Sequence, residues 1–176
     1  VIQMWHALGA LKKFGLQSVG TKEGRDEKIS RAMCMHKNYD YVLSPSKKTA
    51  KFYMEAFGCD NSKIKICSLP RVDDILTDNN AASRFFTAFE ASVLMKPLYF
   101  FVPDYDEYSS ERGINVDLKN EMPSATFENA EELVNAIKLN NYDFDMLYKF
   151  KCEYVENTKA NNAEILAKFV SMLLKA

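Results

Sequence analysis

The sequence lacks several features that would assign it to a protein class at once. Its four cysteines, Cys34, Cys59, Cys67 and Cys152, form no C-x-x-C pair, and it has only two histidines. This scatter argues against a structural zinc site and is typical of a reducing compartment. There is no signal peptide, and no apolar run approaches the roughly 20 residues that a membrane span needs. The sequence therefore predicts a cytoplasmic protein whose contact with a membrane would be peripheral.

The sequence also lacks an excess of positive or negative charge. Lysine and arginine number 23 against 24 aspartates and glutamates, for a net charge of −1. A nucleic-acid-binding protein usually carries a basic excess, so this balance predicts no nucleic-acid partner. With 47% hydrophobic and 27% charged residues, the composition is that of an ordinary globular protein. The chain opens on residues 1–5, which resemble the end of a buried strand and contain no initiator methionine.

The order of apolar patterns alternates strands with helices, which predicts an α/β protein with parallel sheets. A serine at position 46 is a suitable N-cap, and Gly58 is a suitable helix end. Strands are predicted at 41–43, 64–67 and 98–102, helices at 25–36, 46–57, 89–95, 129–137, 143–154 and from about 162, and an acidic aromatic loop at 103–123.

The stretch 3–15, Gln-Met-Trp-His-Ala-Leu-Gly-Ala-Leu-Lys-Lys-Phe-Gly, carries the most chemistry. His6 follows a strand, and the carboxyl ends of strands in open α/β sheets are where ligands bind. A neutral imidazole can take a proton from an alcohol near pH 7. Gly9 would let the backbone approach a ligand, and Lys12 could meet a phosphate. The alternative is a structural histidine packed behind Trp5.

This stretch resembles the W-H-G/A-x-x-x-K-x-x-G signature of the CDP-glycerol glycerophosphotransferases, which make teichoic acids. The resemblance continues at 40–44, at 69–73 (Leu-Pro-Arg-Val-Asp, with Ser68 where the family has glycine), at 89–100, at 104–108 and at Arg112-Gly113. The ordered series covers nearly the whole chain and is more specific than any one motif.

The resemblance implies a B-type glycosyltransferase fold of two Rossmann-like halves, with residues 1–78 on the acceptor side and 82–176 on the CDP-donor side. It implies transfer of glycerol phosphate or ribitol phosphate from a CDP-polyol to a lipid-linked polyol-phosphate acceptor, with release of CMP and no cofactor. Contact with the inner membrane face would follow from such an acceptor. The implied site is His6 as catalytic base, Lys12 and Gly9 for acceptor or phosphate, and Glu90, Arg71, Ser83, Arg84 and Arg112 for the donor.

Two residue-level alternatives remain open. Glu90 begins a predicted helix, where it could accept the ribose hydroxyls of the donor or only stabilise the helix dipole. Asp104 and Asp106 form an Asp-x-Asp after a strand, the pattern by which metal-dependent sugar transferases hold Mn²⁺. We expect no metal there. His36 falls on the apolar stripe of its predicted helix and is interpreted as a core residue.

The sequence also departs from the family pattern. A Pro-Thr-x-Arg motif and a Lys-x-His-Pro motif, whose histidine binds donor phosphate in the family, are absent between residues 73 and 89. The join near 79–82 is where this middle segment belongs. A degenerate, non-catalytic relative is therefore the alternative from a different class, against which an intact His6 and Glu90 argue.

Overall fold

The computed structural model describes residues 1–77 and 87–175. Strands β1 (Ile2–Gln3), β2 (Tyr41–Ser44) and β3 (Ile64–Ile66) form one parallel sheet in that order. Gln3 pairs with Val42, and Val42 pairs with Ile64. Strands β4 (Phe100–Phe101) and β5 (Thr126–Phe127) form a second parallel pair. The predicted α/β class with parallel sheets is confirmed.

Helices connect and cover both sheets. In chain order they are α1 (Glu27–Ala32), α2 (Lys47–Phe57), α3 (Arg71–Thr77), α4 (Ala88–Val93), α5 (Tyr105–Glu111), α6 (Leu118–Glu121), α7 (Ala130–Leu139), α8 (Phe144–Tyr154) and α9 (Asn162–Leu173). The predicted ends of α2 are confirmed. The Ser46 hydroxyl accepts a hydrogen bond from the Thr49 amide at 3.0 Å, and Gly58 closes the helix with a left-handed φ of +60°.

Three predictions about elements are wrong. The helix predicted over 25–36 ends at Ala32, and the chain then turns through left-handed backbone at Cys34 and His36. Ile29 and Met33, which a helix over 25–36 would place on the apolar stripe with His36, are more than half exposed. The predicted loop at 103–123 contains α5 and α6.

Helix α7 forms as predicted and is capped by Asn129, whose side chain accepts from the amides of Glu131 and Glu132. Its apolar stripe is nevertheless not buried, since Val134 and Ile137 are about half exposed. The predicted boundary between residues 78 and 82 lies outside the described residues.

The largest hydrophobic cluster draws on both sides of that boundary. Leu8, Val72 and Ile75 pack in it with Phe89 and Leu147. A smaller cluster under the first sheet contains Val42, Tyr53 and Phe57. Among the described residues, no helix combines the length and apolarity needed to cross a membrane.

Candidate active site

The loop that carries His6 leaves the carboxyl end of β1 and is held at three points. The Arg71 Nη1 donates to the His6 carbonyl oxygen at 3.2 Å, and the Tyr53 hydroxyl donates to the Ala7 carbonyl oxygen at 3.2 Å. The Trp5 ring stacks on Phe14 with centroids 4.5 Å apart. The backbone is thus fixed while the His6 imidazole is exposed to solvent, 4.4 Å from the Trp5 ring.

Gly9 allows this loop to pack directly on α4. A Cβ atom at position 9 would overlap the ring of Phe89. The structure thus shows a close approach of this glycine to a side chain of the second half, and the approach to a ligand stays a prediction.

A cavity of about 350 Å³ opens where the loop meets α4. We call it the central cavity. Four of the predicted site residues line it together: His6, Gly9, Lys12 and Arg112. Thr87 and Phe89 of the second half also line it. The structure thus brings an exposed imidazole and two cationic side chains to one cavity, an arrangement suited to deprotonating a hydroxyl beside a phosphate.

Glu90 and Arg71 lie behind this cavity and do not line it. The Glu90 side chain is fully buried, and its Oε1 is 3.0 Å from the Arg71 Nε. Through its Nη1 the same guanidinium holds the His6 carbonyl. Arg71 therefore connects the loop that carries His6 to Glu90 on α4.

The two cations predicted at the central cavity, Lys12 and Arg112, have different surroundings. Lys12 is exposed, and its Nζ lies 4.9 Å from the centre of the Tyr108 ring. The Arg112 Nη1 is 2.5 Å from an oxygen of Glu23. Of these two, Lys12 is consequently the one that can meet a phosphate without breaking an ion pair.

Other predicted residues lie elsewhere. Ser83 and Arg84 fall outside the described residues. Asp104 precedes α5, and the Asp106 carboxylate is 3.3 Å from the Lys119 Nζ. Within residues 1–77 and 87–175 there is no group of three or more side chains that could hold a metal ion.

His36 is not on a helical stripe, because α1 has already ended. It lies half-buried with φ +62°, and its Nδ1 is 3.1 Å from the Tyr39 hydroxyl. Burial lowers the pKa of this imidazole. Its packing against Phe57, with centroids 5.0 Å apart, agrees with a structural role.

Three contributors were not predicted from the sequence. Lys13 also lines the central cavity, and its place beside Lys12 in the opening motif could have indicated it. Tyr53 was interpreted only as core, and its hydroxyl gave no local signal of its bond to Ala7. The Thr87 hydroxyl caps α4 by accepting from the Glu90 amide at 3.3 Å.

The chain is similar to known transferases along most of its length. A family model described as CDP-glycerol:poly(glycerophosphate) glycerophosphotransferase matches residues 1–88 and 87–172. A teichoic acid glycerol-phosphate primase of Bacillus subtilis is 24% identical over 161 residues, 89% of this chain and 39% of the relative. A teichoic acid ribitol-phosphate primase of Bacillus spizizenii is 35% identical over 72 residues, 41% of this chain and 18% of the relative. The chain thus spans less than half the length of either relative.

A solved structure of the wall teichoic acid polymerase TagF has the same fold. It superposes with a TM-score of 0.72 at 15% identity, covering 99% of this chain and 68% of that one. The match confirms the predicted B-type architecture.

Proposed function

The chain belongs to the CDP-glycerol:poly(glycerophosphate) glycerophosphotransferase family, and we propose that it transfers glycerol phosphate or ribitol phosphate from a CDP-polyol to a teichoic-acid-type acceptor. The observation that carries the proposal is the central cavity, in which His6 and Lys12 lie together. The acceptor is proposed to be a lipid-linked polyol phosphate, reached by peripheral contact with the cytoplasmic membrane face.

In the proposed reaction, His6 takes the proton of the acceptor's terminal hydroxyl. The hydroxyl oxygen then forms a bond to the β-phosphorus of the CDP-polyol, and the bond from that phosphorus to the bridging oxygen breaks, releasing CMP. Such transfers depend on positioning and on neutralising phosphate charge more than on covalent catalysis. Lys12, Lys13 and Arg112 supply the positive charge at the cavity.

Arg71 acts in this proposal as a positioning residue. Its bonds to the His6 carbonyl and to Glu90 fix the loop of the base relative to α4. Glu90 is buried beside that guanidinium, so the contact with the donor ribose that the resemblance implies would require the ribose to reach a buried carboxylate. The positioning role accounts for the burial of Glu90.

The test is His6→Ala, assayed by CMP release from CDP-glycerol and from CDP-ribitol. Loss of a general base costs about 10²–10⁴-fold in rate, and kcat and kcat/KM should fall together because the interaction is made in the transition state. Binding of CDP-glycerol, measured by calorimetry, should persist, and the melting temperature should hardly change because the imidazole is exposed.

Met4→Ala is the matched control, since Met4 is an exposed residue of the same loop and does not line the central cavity. It should retain normal turnover. Normal turnover per folded molecule in His6→Ala, or an equal loss in both variants, would remove His6 from the mechanism.

A further inference from the structure

Two further cavities continue from the central cavity across the first half of the molecule. A middle cavity of about 270 Å³ shares Lys13, Phe14 and Arg112 with the central cavity. A far cavity of about 430 Å³ shares Met35 with the middle one. The three cavities are therefore neighbours on the surface, in a series that runs from the loop of His6 to Lys63, the residue before β3.

Basic side chains line each section beyond the central cavity. The middle cavity has Lys13, Arg25 and Arg112 against one carboxylate, Glu23. The far cavity has Arg31, Lys37 and Lys63 against one carboxylate, Glu27. With Lys12, seven cations and two carboxylates line the path, although the whole chain has a net charge of −1. We call it the basic track.

Several of these cations remain available to a ligand. Glu23 pairs with Arg112 and Glu27 with Arg31, so both carboxylates are already engaged. Among the described residues, the Nζ atoms of Lys13 and Lys37 have no hydrogen-bonding or ion-pair partner. A path with positive charge of this kind concentrates anions along its whole length.

The direction of the track indicates which substrate uses it. Glu90 and α4, the predicted donor side, adjoin the wall of the central cavity formed by Phe89. The rest of the track is lined mainly by residues of the first half, at Gly15, in the turn at 15–18 and in and after α1. A donor has its phosphates only at the reacting end, whereas repeated cations away from that end suit a chain with one phosphate in every unit.

We propose that the basic track binds the phosphate backbone of the acceptor, a polyol-phosphate polymer, and so holds the polymer behind a terminal hydroxyl placed at His6. This proposal rests on the proposed function, because it takes the central cavity as the place of transfer. It adds the path that the acceptor follows and assigns Lys13 and Lys37 to acceptor binding.

The experiment measures acceptor binding without any donor. A fluorescently labelled glycerol-phosphate hexamer is titrated with the full chain, and anisotropy is followed at low and at physiological salt. Lys37→Gln should weaken binding about threefold to tenfold, the effect of one lysine–phosphate contact. Binding should also weaken as salt rises, because exposed charges are screened. Lys51→Gln, which removes an exposed lysine of α2 outside the track, is the control and should bind as the wild type does.

The outcomes separate this proposal from the proposed function. Weaker hexamer binding in Lys37→Gln with CDP-glycerol binding unchanged supports the track. Equal hexamer affinity in wild type, Lys37→Gln and Lys51→Gln overturns it, even if CMP release still depends on His6. A single-stranded oligonucleotide of six phosphates that binds as tightly as the hexamer, with the same dependence on Lys37, would overturn the assignment to a polyol-phosphate chain.

Discussion

Ser46 and Ser68 are both fully buried, but only one hydroxyl has a partner. The Ser46 Oγ accepts from the Thr49 amide and lies 3.1 Å from the Thr49 hydroxyl. The Ser68 Oγ, at the position where the family has glycine, has no partner within the described part of the chain. A buried hydroxyl without a hydrogen bond lowers stability, whereas a capping hydroxyl raises it.

We therefore expect opposite results from the same substitution. Ser46→Ala should lower the free energy of unfolding by about 1 kcal/mol through loss of the cap. Ser68→Ala should leave it unchanged or raise it by up to about 1 kcal/mol, because no bond is lost. Urea unfolding measures both. A cost for Ser68→Ala as large as that for Ser46→Ala would show that its hydroxyl is bonded after all.

Glu90 leads to a second prediction at the residue scale. If Glu90 only contacted the donor ribose, Glu90→Gln would weaken nucleotide binding with little change in melting temperature. Because the carboxylate is buried beside Arg71, we now expect the substitution to reduce stability by about 1–3 kcal/mol, less than for a fully buried pair since Arg71 is 39% exposed.

The control for Glu90→Gln is Glu128→Gln, since Glu128 is an exposed carboxylate that pairs with Lys119. Exposed pairs contribute little, so this variant should stay within about 0.5 kcal/mol of the wild type. Thermal unfolding and calorimetry with CDP are the measurements. An unchanged melting temperature with weakened CDP binding would contradict the positioning role and favour the ribose contact.

At the scale of elements, the sequence predicted helix ends that depend on neighbouring residues, but not contacts between residues far apart in the chain. The two ends of α2 depend on residues inside or beside the helix. Ser46 therefore predicted its N-cap correctly, and Gly58 predicted its C-terminal end. Helix α5 is acidic and aromatic, α6 is only four residues long, and neither has an apolar stripe that would have predicted it. Ile29 and Met33 lie on the apolar stripe of the predicted helix over 25–36, yet in the structure they are 53% and 58% exposed.

The motif Pro70-Arg71-Val72-Asp73 shows that contacts at the site could not be predicted from the local sequence either. Its resemblance to the family marked Arg71 as a candidate, but the partners of its charged residues lie far along the chain. Arg71 pairs with Glu90, and Asp73 accepts hydrogen bonds from Asn162 and Ala163 at the start of α9. Nothing in the local sequence specifies such partners. The motif therefore connects the segment after β3 to α4 and α9 of the second half.

Asp73 gives a prediction that depends on pH. Burial raises the pKa of its carboxyl, but the bonds from the Ala163 and Asn162 amides and the Asn162 side chain outweigh burial, so the pKa lies below its ordinary value. A carboxyl with a depressed pKa stabilises the fold above its unfolded pKa of about 3.9, and the contribution is lost as the pH falls through the folded value.

Asp73→Asn should accordingly lower stability by about 1–2 kcal/mol at pH 7, the contribution of hydrogen bonds to a charged group. The difference from wild type should shrink once the pH falls below about 4. Urea unfolding across this range is the measurement. The exposed neighbour Asp74 serves as control through Asp74→Asn, which should change little. A difference that stays constant down to pH 2 would show that the charge of Asp73 is not what holds α9.

At the scale of the whole molecule, contacts between the halves are polar as well as apolar. The Lys48 Nζ, from α2, is 2.7 Å from Glu121 and 2.6 Å from Glu153. The Tyr154 hydroxyl donates to Glu121, and Lys48 lies over its ring at 4.4 Å. Burial lowers the pKa of Lys48, but the two carboxylates outweigh it, so the net shift is upward. These contacts join α2 to α6 and α8.

Because the main core also crosses the boundary, we expect the two halves to unfold together. Leu147, on α8, is fully buried with Leu8 and Phe89 in that core. Leu147→Ala should cost about 2–5 kcal/mol, the usual cost of a cavity in a core. Leu139→Ala makes the same chemical change at a position that is 77% exposed and should cost less than about 0.5 kcal/mol.

The single tryptophan makes this coupling measurable. Trp5 lies in the first half, and the rings that pack against it, Phe14 and Phe57, belong to that half too, so its fluorescence reports mainly on the first half. Far-ultraviolet circular dichroism reports on the helices of both. In a cooperative molecule the two signals have the same midpoint in urea, and Leu147→Ala, a change in the second half, lowers both midpoints equally. In the contrary case, Leu147→Ala would leave the Trp5 midpoint at the wild-type value, while part of the dichroism signal would be lost at a lower urea concentration. The halves would then unfold independently, and the contacts of Arg71, Asp73 and Lys48 across the boundary would contribute little to stability.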